Sequence, residues 1–542
     1  MNQSPRITQR PSHVRVAFVG AGPGDPGLMT VRSRELLDAA DVVVIDQVSR
    51  EEVVSRYARP GVVVIDAGHG EHGEELTRVS RAKRLVQAAQ SLAGEGGLVV
   101  RLMDGDPALF NAFSDEAIAL CKVGIPFDVV PGVSAVTAVP TYAGVPLTSH
   151  EARSVQVVSV GDAPHDWSGA VDVAATVVVL GTPDRLGPAL ADLLAAGRDP
   201  DTPIAVVERG TTTHQATHIT TLGEVDTLLS DSRVLFPSLA VVGPTVVLRE
   251  TLSWFESKSL FGWEVLVPRT KDQAGIMVDR LAEYGARATI VPTISVEPPR
   301  TPHQMERAIT GLVTGRYQWV GFTSVNAVRA VREKLEGYGL DARAFAGLKI
   351  AAVGGVTAAA LRQWGLEPDL VPSGEQSTAG LLADWPDYDA SVDPINRVFL
   401  PRADIATDTL VAGLVEMGWE VDDVTAYRTV RAAPPAPDVR EAIKSGAFDA
   451  VLFTSSSTVR NLVGIAGKPH PTTVVACIGP QTAKTAEEHG LRVDVMATIP
   501  SADALVDALA AHGALLALGA QEQGEPVRRP SQRRHASRRK AR

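Results

Sequence analysis

Short apolar runs alternate with amphipathic stretches along most of the chain. In the first half the runs are VRVAFVG, DVVVID, GVVVID, GLVVRL, FDVVP, SVQVVSV, TVVVLG, PIAVVE and SLAVVGP. Each is a few residues long and rich in Val, Ile or Leu, the pattern of strands buried on both faces of a sheet. Between them lie stretches of helical periodicity. TVRSRELLDAA begins on Thr30, a residue type whose hydroxyl caps helix N-termini. Strand and helix in alternation predict α/β layers.

The pattern breaks at SWFESKSLFGWEVLVPRT. One series closes near Phe255 and another opens at Glu264 with EVLVPR. It continues through ATIVPTISVEP, WVGFTS, LKIAAVGG, RVFLPRA, EVDDVTAYRTV, AVLFTSSS and TVVACIGP. Within it WVGFTSVNAVRAV resembles AVLFTSSSTVRNL, and KIAAVGGVTAAALRQWGL resembles VVACIGPQTAKTAEEHGL. This is internal duplication, two similar lobes facing a cleft. The Pro-rich segments PTISVEPPRTP and TAYRTVRAAPPAP sit where the chain crosses between lobes, which makes the first lobe discontinuous. The expected organisation is an arm over 1–13, a first domain over 14–257, a linker over 258–263 and a second domain over 264–517. Lobe one of that second domain takes about 264–298 plus 430–517 and lobe two about 299–427, with a tail over 518–542.

Composition narrows the function classes. A chain of 542 residues, 45% apolar and 21% charged, has room for about three to four domains with ordinary packed cores. No apolar run approaches the roughly 18–20 residues of a membrane span, and MNQSPRITQRPSHVR lacks an apolar signal core. A cytoplasmic protein without a membrane partner is expected. Cys121 and Cys477 stand far apart without ligand-spaced neighbours, so neither a disulfide framework nor a zinc site is expected. His69 and His72 lack a third ligand and read as loop histidines, with no metal. Net charge is −11, although the segment from Gln521 to Arg542 sets eight Lys/Arg against Glu522 and Glu525. An acidic body argues against nucleic acid as the main partner. The basic tail is expected to be disordered and solubilising.

The loop in VRVAFVGAGPGDPGLMT spaces Gly20, Gly22 and Gly24 somewhat like a dinucleotide fingerprint, and DVVVID ends on Asp46 where such folds place a ribose-binding acid. Pro23 and Pro26 speak against it. Pro removes an N–H and fixes φ, and the helix is delayed to about Thr30, whereas the fingerprint needs a helix starting on the phosphate. An NAD-dependent oxidoreductase rests on this loop alone.

Further segments carry more. RLMDGDPALF, VVPGVSAVTAVPTYAGVPLT, VVVLGT, PIAVVERGTTTHQ and PSLAVVGPTVVLRETLSWF follow in that order. Residues 14–257 with these motifs resemble the uroporphyrinogen-III C-methyltransferases, a tetrapyrrole methylase family. The resemblance implies a two-lobed α/β fold clasping S-adenosylmethionine, with cofactor contacts at Pro23, Asp104, Gly105, Asp106, Leu109, Ser134, Ala135, Leu180 and Gly210. It implies that Asp46 is catalytic, a carboxylate that removes a proton from the tetrapyrrole after a pyrrole carbon has taken the methyl group. It also allows a homodimer through this half. The family's Gly-Lys-Arg motif departs here, with Ala67 set at the lysine position. Its Lys-Gly-Gly-Asp-Pro is Met103–Pro107, and its Gly-Arg-Gly is Asn111–Phe113. Loss of two cations weakens carboxylate binding. The alternative is therefore a non-catalytic methylase-like module that binds cofactor or product.

Residues 262–517 resemble uroporphyrinogen-III synthase through VLVPRT, GFTSVNAV, KIAAVGGVTAAAL, LVPSGEQSTAGLL, FLPRA, VTAYRTV, LFTSSSTVRNL and ACIGPQTAKTA. The resemblance implies two α/β lobes joined by a two-strand ladder and a reaction without cofactor. Linear hydroxymethylbilane loses its terminal hydroxyl, inverts its last ring through a spiro intermediate and closes. Tyr427 matches the family's tyrosine, the candidate acid for the leaving hydroxyl. Thr323, Ser324, Thr357, Thr454, Ser455 and Thr482 lie in turns after strands, where hydroxyls and N–H groups bind carboxylates. Arg269 and Arg402 are candidates for bidentate carboxylate contacts. Together the halves imply one bifunctional enzyme on the route to sirohaem and cobalamin precursors. It makes uroporphyrinogen III and methylates it toward precorrin-2.

Overall fold

In the computed structural model of the chain, the residues described are 13–46, 51–69, 74–92, 94, 96–161, 165–231, 234–235 and 237–533. Contacts divide the chain into two units. The first runs to Trp263 and takes in Leu281–Arg287 and Gly513–Gly519; the rest forms the second.

The first unit holds two five-stranded sheets. One contains β1 (Val14–Gly20), β2 (Val42–Ile45), β3 (Val63–Asp66), β4 (Gly97–Met103) and β5 (Phe127–Val130), in the order β3-β2-β4-β1-β5 and parallel throughout. β2 and β4 are buried along their whole length, as expected of strands covered on both faces. The other contains β6 (Ser154–Ser159), β7 (Ala175–Leu180), β8 (Pro203–Glu208), β9 (Ala216–Thr221) and β10 (Pro237–Val242), ordered β6-β7-β10-β8-β9. Here β10 runs antiparallel to both neighbours. The helix after the opening loop begins at Val31, capped by the Thr30 hydroxyl, which accepts from Ser33 N. That late start is what the two prolines predict.

The second unit repeats the two-sheet plan. Its chain enters through β11 (Glu264–Val267) and β12 (Arg287–Ile290), crosses to β13 (Ile294–Glu297), β14 (Trp319–Phe322), β15 (Lys349–Ala352), β16 (Arg397–Ala403) and β17 (Glu420–Arg431), and returns as β18 (Ala450–Phe453), β19 (Val474–Cys477) and β20 (Val495–Met496). The sheets are β12-β11-β18-β19-β20 and β13-β17-β16-β14-β15. The Pro-rich segments flank an antiparallel pair, β13 with β17. The duplicated motifs take the same local form. β14 and β18 each lead into a helix capped by serine, Ser324 at φ −163° and Ser455 at φ −168°.

One irregularity matters for the site. Along β16 and β17, Arg402 pairs with Thr425 but Ala403 pairs with Tyr427, so Ala426 is an extra residue in the ladder. Strict alternation would send neighbouring side chains to opposite faces. The bulge allows Val424, Ala426 and Tyr427 to share one apolar cluster.

Two expectations need correction. The helix Ala502–Glu522, 21 residues rich in Ala, Leu and Gly, is long and apolar enough by length and composition to cross a membrane. Asp507 and His512 interrupt it and hide it from a search for an unbroken apolar run. Leu505, Val506 and Leu509 in its first half are fully buried, and Asp507 accepts from Arg280 Nε at 2.8 Å, whereas Leu515 and Leu518 in its second half are exposed. The expected disordered tail is also not disordered from 518. This helix continues to Glu522, Pro530 is buried, and Ser531 N donates to Asp449 Oδ1 at 2.8 Å. A fully buried carboxylate, remote in sequence, holds that segment; Arg534 onward lies outside the described residues.

Candidate active sites

In the first unit the proposed cofactor residues come from four loops and the end of β7. Gly22 and Gly105 form a backbone bridge, with N···O distances of 3.4 and 3.0 Å. Gly20, Gly105 and Gly132 stack so closely that a Cβ on Gly132 would lie 2.1 Å from Gly105 O, and one on Gly20 would lie 2.5 Å from the same oxygen. Only glycine permits this approach. Asp106 clamps the arrangement. Its Oδ1 accepts from Ala108 N at 2.8 Å and its Oδ2 from Gly132 N at 3.0 Å. Its carboxylate is thus used in building the cradle. Asn111, at the family's Gly-Arg-Gly, donates to the carbonyls of Asp104 (2.8 Å) and Asp106 (2.6 Å) and closes the loop that carries Leu109. Ser134 caps the helix Ala135–Tyr142. A Cβ on Gly105 would stand 3.6 Å from both Ser134 Cα and Ala135 N.

The second lobe of this unit contributes Leu180 and Gly210. Leu180 ends β7 and packs on the same apolar cluster as Ala135. Gly210 lies against Val139 of that cluster, between Arg209 (φ 47°) and Thr211 (φ 66°). Positive φ at two non-glycine residues marks a strained turn, held by Gln215 Oε1 on Thr211 N at 2.7 Å. Thr211 Oγ1 in turn accepts from Asp25 N at 3.1 Å, which brings the turn against the loop of Pro23. The opening loop bends toward a second lobe instead of wrapping a helix start. The dinucleotide reading has no support in this geometry.

Asp46 stands at the end of β2 on this edge. Sequence reasoning missed its partner. Arg101, fully buried in β4, donates from Nη2 to Asp46 Oδ1 at 2.6 Å and from Nε and Nη2 to Glu116 at 2.7 and 2.8 Å. Burial works to lower the pKa of Arg101, but the Glu116 and Asp46 carboxylates outweigh it and raise the pKa above its usual value. The signal was present, since an arginine inside GLVVRL must have a buried acid near it.

Ala67, set at the family's lysine position, is fully buried in the core. A Cβ on the next residue, Gly68, would lie 1.7 Å from Asp46 O. His72 lies outside the described residues. Among those described, no group of three or more His, Cys, Asp and Glu could hold a metal.

In the second unit the candidates gather at the C-terminal ends of parallel strands, the usual ligand side of such sheets. Tyr427 Oη and Ser324 Oγ are 2.9 Å apart, and Ser324 Oγ accepts from Ala327 N. Thr323 precedes Ser324 after β14. Thr357 is buried in the first turn of the helix Gly355–Trp364, and Gly355 N donates to Gln376 Oε1 at 2.9 Å. In the other lobe, Thr454 follows β18 and Ser455 forms a capping box with Thr458. Ser456 Oγ reaches Gln481 O at 3.1 Å, which joins that turn to the turn of Thr482. Arg269 follows β11, half-buried, with burial lowering its pKa and no carboxylate paired with it among the described residues. Arg402 differs. Its guanidinium is bound to Asp423, to Asp408 at 3.1 Å and to Thr407 O at 2.5 Å. It is a buried internal ion pair and not a free carboxylate receptor.

The first unit thus has the form of a two-lobed methylase with a carboxylate beside a glycine-lined cradle. The second has the form of a two-lobed synthase with a hydroxyl cluster at its strand ends. Comparison with known proteins agrees. Residues 15–226 match the tetrapyrrole (corrin/porphyrin) methylases, and residues 276–507 match uroporphyrinogen-III synthase HemD. The porphyrin biosynthesis protein HemD of Ruminiclostridium josui is 32% identical over 512 residues, 92% of this chain and 98% of that protein. The S-adenosyl-L-methionine-dependent uroporphyrinogen III methyltransferase of Methanosarcina barkeri is 35% identical over 44% of this chain and 94% of its own length. Among solved structures, the uroporphyrin-III C-methyl transferase of Thermus thermophilus complexed with S-adenyl homocysteine is 33% identical. It covers 43% of this chain and 93% of that one, with a TM-score of 0.36. The chain belongs to the HemD-type family that joins a tetrapyrrole methylase domain to a uroporphyrinogen-III synthase domain.

Proposed function

We propose that the second unit closes hydroxymethylbilane to uroporphyrinogen III and that the first methylates this product toward precorrin-2. The observation that carries the methylase half is a carboxylate held by a buried arginine at the edge where the cradle lies. Gly20, Gly105 and Gly132 let three loops pack backbone against backbone, and Pro23, Asp104, Ser134, Ala135, Leu180 and Gly210 lie on these loops and on the neighbouring lobe. These residues fit S-adenosylmethionine. When bound, the cofactor supplies an electrophilic methyl group on a sulfonium. Asp46, its Oδ1 fixed by Arg101, offers Oδ2 to take the proton that the substituted pyrrole system must lose. A module that only bound ligand would not need this positioned base.

In the synthase half, Ser324 Oγ donates to Tyr427 Oη, and the Tyr427 proton is then directed to the departing hydroxyl, which leaves as water. Arg269 and the turn N–H groups hold substrate carboxylates and so restrict the chain to the folded shape that closes. The test is direct. Freshly made hydroxymethylbilane and S-adenosylmethionine are given to the full chain, and the oxidised products are resolved by isomer and mass. Isomer III with one or two added methyl groups is expected. Unmethylated isomer III refutes the methylase half, and isomer I alone refutes the synthase half.

A further inference from the structure

A chain of polar side chains in the first unit ends on the turn of Gly210, and the proposed mechanism does not use it. It starts at Glu256, in the segment between the helix Arg249–Leu252 and β11. The Glu256 side chain is 16% exposed. Its Oε1 accepts from Gln215 Nε2 at 2.8 Å and from Thr217 Oγ1 at 2.5 Å, and its Oε2 accepts from Arg249 Nη2 at 2.8 Å. Gln215 is buried, and its other end, Oε1, accepts from Thr211 N. Two links thus join Glu256 to the turn of Gly210, and a third, from Asp25 N to Thr211 Oγ1, reaches the loop of Pro23.

The direction of the Gln215 amide is the point of control. A primary amide has a donor end and an acceptor end, whereas a carboxylate only accepts. Glu256 therefore takes the donor end and leaves the acceptor end for Thr211 N. Reversed, the amide would set its oxygen against the carboxylate and its NH2 against the N–H of Thr211. Thr211 is β-branched and sits at φ 66°, close to Arg209 at φ 47°. Such a turn persists only where its surroundings over-determine it. The segment that carries Glu256 is itself tied down. Arg249 Nη1 donates to Ala143 O, at the end of the helix that Ser134 caps. Trp254 Nε1 donates to Thr141 O at 3.0 Å, and the Tyr142 ring packs edge-on against Trp254 and Phe255, with centroids 5.1 and 4.6 Å away. The carboxylate stands on a fixed support.

We propose that Glu256 is a positioning residue for S-adenosylmethionine: through Gln215 it holds the Arg209–Thr211 turn in its positive-φ form and so places Gly210 against the cofactor. Glu256 acts through another side chain and touches no reactant. The inference rests on the reading of this cradle as the cofactor site.

Titration calorimetry of the full chain with S-adenosylmethionine reads affinity and binding-competent fraction separately. Glu256→Ala should raise Kd roughly ten- to a hundredfold, the value of one hydrogen bond to a charged group, at unchanged stoichiometry. Gln215→Ala should do the same. The double variant should bind no more weakly than the weaker single variant, since both residues act on one bond. Glu256→Gln still accepts from Gln215 through its amide oxygen and should restore most of the affinity. In steady state the S-adenosylmethionine KM should rise with Kd, while kcat at saturating cofactor, the acceptor KM and the synthase rate stay near wild type. An unchanged Kd in Glu256→Ala overturns the inference. Additive losses in the double variant, or a lowered stoichiometry at unchanged affinity, also overturn it, as the marks of a residue that only stabilises the fold. A wild-type chain that does not bind S-adenosylmethionine overturns the cofactor reading itself, and this inference with it.

Discussion

The buried pair behind Asp46 separates stability from catalysis in a measurable way. Arg101 and Glu116 are both fully buried, with donor–acceptor distances of 2.7 and 2.8 Å, and Arg101 also holds Asp46. Removing Glu116 leaves the buried guanidinium with Asp46 alone and its Nε without an acceptor, and breaking a buried pair costs about 3–5 kcal/mol. Domains are typically stable by only about 5–15 kcal/mol, so Glu116→Leu alone should be severe. Replacing both partners, Arg101→Met with Glu116→Leu, leaves no charge stranded between them and is neutral or stabilising by about 1–4 kcal/mol in comparable cases. The double variant nevertheless leaves Asp46 without its donor. A base displaced by about 1 Å loses on the order of a hundredfold in rate. Hydrogen exchange at the β1 and β4 amides reads the stability of this unit within the full chain. Glu116→Leu should exchange there roughly a hundred to several thousand times faster, and the double variant at close to the wild-type rate. Methyl transfer should stay depressed in the double variant while synthase activity is retained. A double variant that is stable and transfers methyl groups at the wild-type rate would refute the positioning role of Arg101.

Tyr427→Phe keeps the ring in its cluster and removes only the hydroxyl. Isomer III formation should fall roughly a hundred- to ten-thousandfold with little change in melting temperature. Gly132→Ala would put a Cβ 2.1 Å from Gly105 O, and equilibrium dialysis should show weakened S-adenosylmethionine binding while the synthase is untouched. Burial pushes the Cys477 thiol up to about 12, whereas Cys121 is exposed. At about pH 8 an alkylating reagent should modify Cys121 promptly and Cys477 only on unfolding, as peptide mass spectrometry would show. Because the folded pKa exceeds the unfolded value of about 8.5, this thiol's contribution to stability is complete below that pH. It is lost as pH rises toward 12.

Strand positions were legible because buried parallel strands leave short apolar runs, and the duplicated serine-capped turns were legible because the motifs repeat. What escaped depended on contacts between distant segments. Nothing local marks Gly68 as the residue that touches the Asp46 backbone. Arg402 looked available because Asp408 and Asp423 are its partners only in three dimensions. The bulge at Ala426 leaves the apolar character of VTAYRT unchanged, yet it governs which way Tyr427 faces. Arg101 could have been found. A guanidinium in the middle of an all-apolar strand requires an acid, and Glu116 follows at the buried face of the next helix.

Asp449 receives its two closest donors, Glu264 N and Ser531 N, from the main chain, at 2.9 and 2.8 Å. A carboxylate that grips amides recognises the path of a chain and is indifferent to most side chains on it. Side chains near Ser531 can therefore change over evolutionary time, keeping the biased composition that resembles disorder, without loss of attachment. The substitution such a grip cannot tolerate at 531 is proline, which has no N–H to offer.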